Sequence, residues 1–184
     1  VIAAAATCNN LDMTGYSAAR TWTVNNTLTV AGNITFVNQF TITTSSGTPT
    51  LAKTTGGTIT VSGAGFTWPY TVSLTGTATY TLAGGDLTIS TTLVTAGSGT
   101  VTLNGSGLNV NVKSATGSAA ILAGTAKIRF IVSGGVWTGQ MASDNVEIAI
   151  AATVTPDLTW NSASKTGGTL TYTSGNMGVQ LSLI

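Results

Sequence analysis

The chain has 184 residues, a normal apolar share of 42%, and a formal net charge of +1. Only 6% of its residues are charged, against about 25% in ordinary domains, so neither nucleic acid nor anionic lipid meets a basic surface here. Histidine is absent, which removes His-based acid–base catalysis, the usual triads and His-containing zinc sites.

About one residue in five is threonine, a β-branched side chain that suits a pleated strand, while the strong helix formers are scarce. An all-β chain follows. In chain order, Val1 to about Tyr16 is a small-residue arm without crisp alternation, and the single cysteine, Cys8, leaves no partner for an internal disulfide. Period-two alternation then begins. Trp22, Val24, Leu28 and Val30 share one parity, continued by Ile34, Phe36, Phe40 and Ile42, with Ala31-Gly32-Asn33 as a tight turn or bulge. Ile59 and Val61, then Phe66, Trp68, Tyr70, Val72 and Leu74, then Tyr80 and Leu82, keep the habit through Leu87, Ile89, Val101, Leu103, Val110 and Val112. Only residues 118–126 invite a short helix, or none. Ile128, Phe130, Val146, Ile148, Trp160, Leu170 and Tyr172 lead to a last alternating run at Met177, Val179, Leu181 and Leu183.

Alternation of this kind means sheets with one buried and one wet face, the usual antiparallel pattern, and paired glycines such as Gly84-Gly85 and Gly134-Gly135 read as hairpin turns. The expected architecture is a single antiparallel β-sandwich or jelly-roll-like domain over residues 17–184, preceded by an extended arm over 1–16. The segments Gly57–Val61, Gly85–Ile89 and Gly99–Leu103 resemble one another. Their spacing is not sustained along the chain, so hairpin chemistry accounts for them better than a solenoid repeat.

No catalytic, cofactor or metal constellation emerges. The acids are Asp12, Asp86, Asp144, Glu147 and Asp157, too scattered for a two-carboxylate cleft; Glu147 reads as a partner for Lys127 or Arg129. Trp22, Trp68, Tyr70, Tyr80, Trp160 and Tyr172 sit on the apolar parity and read as core. Trp137, beside a glycine pair, reads as an exposed contact. Asn25, Asn33 and Asn104 head glycosylation acceptor patterns.

Soluble β-proteins protect sheet edges with lysine, proline or bulges, and six basic residues with three prolines offer little of that. Edges left open fit a neighbour that adds a strand. The small size, the Thr/Gly-rich sandwich patterning, the free arm and the closing run Ser174-Gly175-Asn176-Met177-Gly178-Val179-Gln180-Leu181-Ser182-Leu183 resemble extracellular filament subunits joined by donor-strand complementation. Among them archaeal pili and threads and TasA-type fibres are closer than chaperone–usher pilins, whose cysteine pair is missing. The resemblance implies a secreted, cell-surface homopolymer serving adhesion or biofilm, with identical subunits as partners, no cofactor and no membrane insertion of the mature form. It implies a donor arm carrying Val1, Ile2, Ala3, Ala5, Thr7, Leu11 and Met13, and a C-terminal strand or groove carrying Met177, Val179, Leu181 and Leu183. A secreted carbohydrate- or ice-binding module, the latter suggested by Thr-x-Thr steps such as Thr58-Ile59-Thr60, and a viral coat protein are the alternatives.

Overall fold

The computed structural model of the chain describes residues 1–16, 18–150 and 158–174. All its named strands pair in parallel, and the chain winds into a β-solenoid of about seven turns. The antiparallel β-sandwich expected from the sequence is therefore wrong. The physical reason is that a coil with one buried wall face produces the same two-residue alternation as a half-buried hairpin sheet. Alternation reports which side of a strand is wet, and it carries no information about strand direction.

Each turn contributes a strand to three walls. The first wall stacks Ala6–Cys8, Leu28–Val30, Thr50–Lys53 and Thr71–Thr75, then the middle stretches of the long strands Asp86–Asn104 and Asn109–Gly124. Its inner ladder runs Ala6, Leu28, Leu51, Val72, Leu93, Ala115 and Trp137. The second wall stacks Leu11–Asp12, Ile34–Val37, Gly57–Ser62 and Ala78–Ala83, with Leu11, Ile34, Ile59 and Leu82 in register. The third wall stacks Gly65–Trp68, residues 86–89 and 109–112, Lys127–Phe130, Asn145–Ala149 and Thr169–Ser174. Two inner ladders line it, Phe66-Leu87-Val110-Ile128-Val146-Leu170 and Trp68-Ile89-Val112-Phe130-Ile148-Tyr172.

The repeat length explains why the sequence conceals the coil. Partners lie from 18 residues apart (Ile128 and Val146) to 25 (Ile34 and Ile59), because the corners differ in length from turn to turn. A parallel ladder needs only an apolar residue at each inward place, so no fixed motif has to recur. The three similar Gly-led segments belong to different walls: Gly57–Val61 and Gly99–Leu103 lie on the second, and Gly85–Ile89 enters the third. The paired glycines turn corners between walls and do not close hairpins. Gly124 shows why glycine is required at such a corner. Its φ is +116°, and a Cβ there would lie 2.1 Å from the Leu103 carbonyl oxygen of the turn above.

The candidate helix over residues 118–126 is not one: residues 118–124 are the end of a strand and 125–126 a bend. The core is one continuous cluster along the coil axis, with Phe36 stacked on Phe66 at 4.3 Å and Phe130 on Trp137 at 5.7 Å. Trp68 and Tyr80 are fully buried, as core placement requires, and Trp22 and Tyr70 are packed against the cluster. Trp137 is also fully buried, against the expectation of an exposed aromatic. The strand Gly135–Ser143 starts at the glycine read as a turn, so its odd positions face inward from the outset.

Candidate functional site: the outer columns and ends of the coil

Outward side chains form columns that follow the same register as the core. On the third wall one column reads Thr67, Thr88, Asn111, Arg129, Glu147 and Thr171, and its neighbour reads Asp86, Asn109, Lys127, Asn145 and Thr169. The Asn109 side-chain amide donates to Asp86 at 2.7 Å, and the Asn111 amide to the Thr88 hydroxyl at 3.2 Å. Lys127 and Arg129 pair with Glu147 at 3.2 and 3.3 Å, and the Thr173 hydroxyl donates to the same carboxylate at 2.8 Å. Glu147 thus serves both cations that the sequence offered it.

Burial raises the Glu147 carboxyl, but hydrogen bonds from Thr173 and Lys127 and the charges of Arg129 and Lys127 more than offset this, leaving it below its usual value of 4.5. A carboxyl depressed by folding stabilises the fold above its unfolded pKa and stops doing so as pH falls through the folded value. Glu147→Gln is therefore expected to lose about 0.5–1 kcal/mol at neutral pH, a modest figure because both cations are partly exposed. Chemical denaturation at acid pH, below the folded value, should show the two proteins equally stable.

The second wall carries threonine pairs that step along the coil. Thr35 meets Thr60 and then Ala83, Thr58 meets Thr81 and then Asn104, and Thr79 meets Thr102 and then Ala123. The four Thr-x-Thr steps beginning at Thr21, Thr58, Thr77 and Thr171 are divided between a separate two-stranded sheet of Arg20–Thr23 with Phe40–Thr43, the second wall and the third wall. No column named here holds a long threonine rank, which is what a flat ice-matching array needs.

The candidate glycosylation residues sit at corners or outward places. The Asn33 side-chain oxygen accepts the Thr58 backbone N–H at 2.9 Å, and Asn25 accepts from Ser45 N–H at 2.9 Å while donating to its hydroxyl at 3.0 Å. These two amides tie one turn to the next. Asn104 is half-buried at the outward end of a strand.

The candidate donor-arm residues build the first turn. Ile2 bridges to Val24, Thr7 pairs with Thr29, Leu11 with Ile34, and Met13 is buried, whereas Val1, Ala3 and Ala5 are exposed. Ala6–Cys8, Leu11–Asp12 and Arg20–Thr23 each have one hydrogen-bonded neighbour, so each presents a free backbone edge at this end among the described residues. In residues 1–23 only Asp12 and Arg20 bear side-chain charge. At the opposite end Leu170 and Tyr172 continue the two inner ladders of the third wall, yet they are 39% and 45% exposed. Met177, Val179, Leu181 and Leu183, Asp157, and the closing run after Ser174 lie outside the described residues, as does the Trp160 side chain.

The first turn also opens a recess of about 310 Å³, lined by Leu11, Asp12, Met13, Tyr16, Arg20, Thr21, Trp22 and Phe40. The Tyr16 and Phe40 rings meet edge to face at 5.2 Å. Composition could not have assembled this group, because coil register brings Phe40 beside Arg20. Among the described residues no three metal-ligating side chains gather. No family model matches the chain, and comparisons with curated proteins and with solved structures find no match.

Proposed function

We propose that the chain is a structural subunit of an extracellular filament, growing by strand addition between the open ends of successive coils. The carrying observation is that the apolar ladders of the third wall run out exposed at Leu170 and Tyr172, while the first turn offers free backbone edges. A head-to-tail contact of unlike ends propagates as a fibre wherever its rotation does not close a ring, and end-on stacking along the coil axis leaves it open. Parallel strands suit this growth, since a neighbour placed end-on continues each sheet with the polarity it already has. Low charge favours association over dispersion, and the named edge strands at the two ends carry only two cations, Arg20 and Lys165, to oppose it.

Electron microscopy and sedimentation of the intact chain and of Leu170→Asp and Tyr172→Asp variants test the reading. Both positions are partly exposed, so the variants are expected to keep their fold. Fibres from the intact chain and dispersed monomers from both variants are the expected result. Monodisperse monomers in all three samples overturn it.

A further inference from the structure

We propose that the first-turn recess binds a pyranose ring of a neutral glycan. The recess joins two kinds of surface that a sugar ring needs together. Tyr16, Trp22 and Phe40 supply apolar ring surface for the C–H face of a pyranose, and the edge-to-face contact of Tyr16 with Phe40 fixes those two rings relative to each other. Asp12, Arg20 and Thr21 supply planar or hydroxyl groups for the ring's hydroxyl edge, the guanidinium as a fork of donors and the carboxylate as an acceptor.

The charges select the class of ligand. Arg20 is exposed and forms no salt bridge among the described residues, and the one carboxylate beside it brings the local side-chain charge to zero. A polyanion would meet a single cation next to Asp12, too little for an electrostatic footprint. A purely apolar ligand would withdraw two charged groups from water without giving either a partner. A neutral polyhydroxylated ring bonds both groups and still covers the aromatic faces. The volume, about 310 Å³, lies at the lower end of small-molecule sites and suits a chain end or a single residue of a glycan better than a long segment.

The recess lies at the same end as the edges assigned to filament growth, so the experiment has to tell a glycan from a neighbouring subunit. The full chain is applied to an array of neutral plant, microbial and animal glycans, and the best-bound oligosaccharide is titrated calorimetrically against wild type, Tyr16→Ala and Arg20→Ala. Tyr16 and Arg20 are exposed, so both variants should melt with the wild type. The expected result is saccharide binding weakened about tenfold or more in each variant, a loss of about 1.4 kcal/mol, with fibre growth unchanged in Tyr16→Ala, whose residue lies outside the edge strands. Absence of binding to any neutral glycan, or equal binding by all three proteins, overturns the proposal. Fibre growth lost in the variants without any glycan binding also overturns it, and makes the recess a subunit contact.

Discussion

Trp137→Ala is expected to lower the unfolding free energy by about 3–5 kcal/mol, the usual range for emptying a fully buried aromatic site. Trp137 lies on the inner ladder of the first wall, in register with Ala115, and its ring stacks on Phe130 from the third wall. Its neighbour one turn back is only an alanine, so the indole fills volume on behalf of two positions. Truncation leaves a void that Ala115 cannot close, and the rigid backbone ladders on either side resist collapse. A reading of Trp137 as an exposed turn residue predicts a change within about 0.5 kcal/mol instead. Denaturant titration separates the two, provided the midpoint moves with little change in slope. Trp22→Ala, at a half-buried place on the first turn, should cost less.

The second large effect concerns Lys53. This lysine stands where the inner column would carry an apolar side chain, between Val30 and Leu74, and it is fully buried. Its ammonium donates to the carbonyl oxygens of Ala31 at 2.8 Å, Thr55 at 2.7 Å and Gly56 at 3.1 Å, and lies 5.5 Å from the centre of the Tyr80 ring. Burial pushes its pKa below the ordinary value, as it must for a cation taken from water. The three carbonyls belong to corner backbone that turns outside the regular ladders, so the side chain supplies donors that strand pairing does not. Lys53→Met keeps the packed stem and removes those donors. The Thr55 hydroxyl still serves Ala31, leaving the Thr55 and Gly56 carbonyls short of a partner. Thr55 is exposed and water can meet its carbonyl, so a loss of about 1–3 kcal/mol follows, chiefly from the half-buried Gly56 carbonyl. Lys113→Met, at a half-buried outer place, is the control and should change stability by less than about 0.5 kcal/mol.

Strand content and inward parity were legible without coordinates. Leu28 and Val30, Ile59 and Val61, and Ile128 and Phe130 all face the core as their spacing demands. Strand direction was not legible, because parity is indifferent to it. The coil itself was hidden by corner length: between Val110 and Ile128 the turn is short, and between Ile34 and Ile59 it is long. Trp137 was misjudged because Gly135, taken for a turn, is itself a strand residue. Lys53 gave one usable sign. It shares parity with Leu51, and a lysine on a buried parity asks for acceptors. The first-turn recess gave no sign at all, since Asp12, Arg20 and Phe40 approach only when two turns stack.

One break in the coil has a mechanical meaning. Arg20–Thr23 and Phe40–Thr43 pair with each other in a sheet of their own, so the third wall is not hydrogen-bonded across to Gly65–Trp68. In a coil of this kind the ladder bonds lie along the axis, and axial load opens them one turn at a time, with no simultaneous shearing of many bonds. Each freed turn of some twenty residues pays out roughly 70 Å of chain. The seam after the second turn has one wall fewer to hold it. Pulled from its ends, the molecule yields there first and behaves as an extensible tether whose softest link is built in near its beginning.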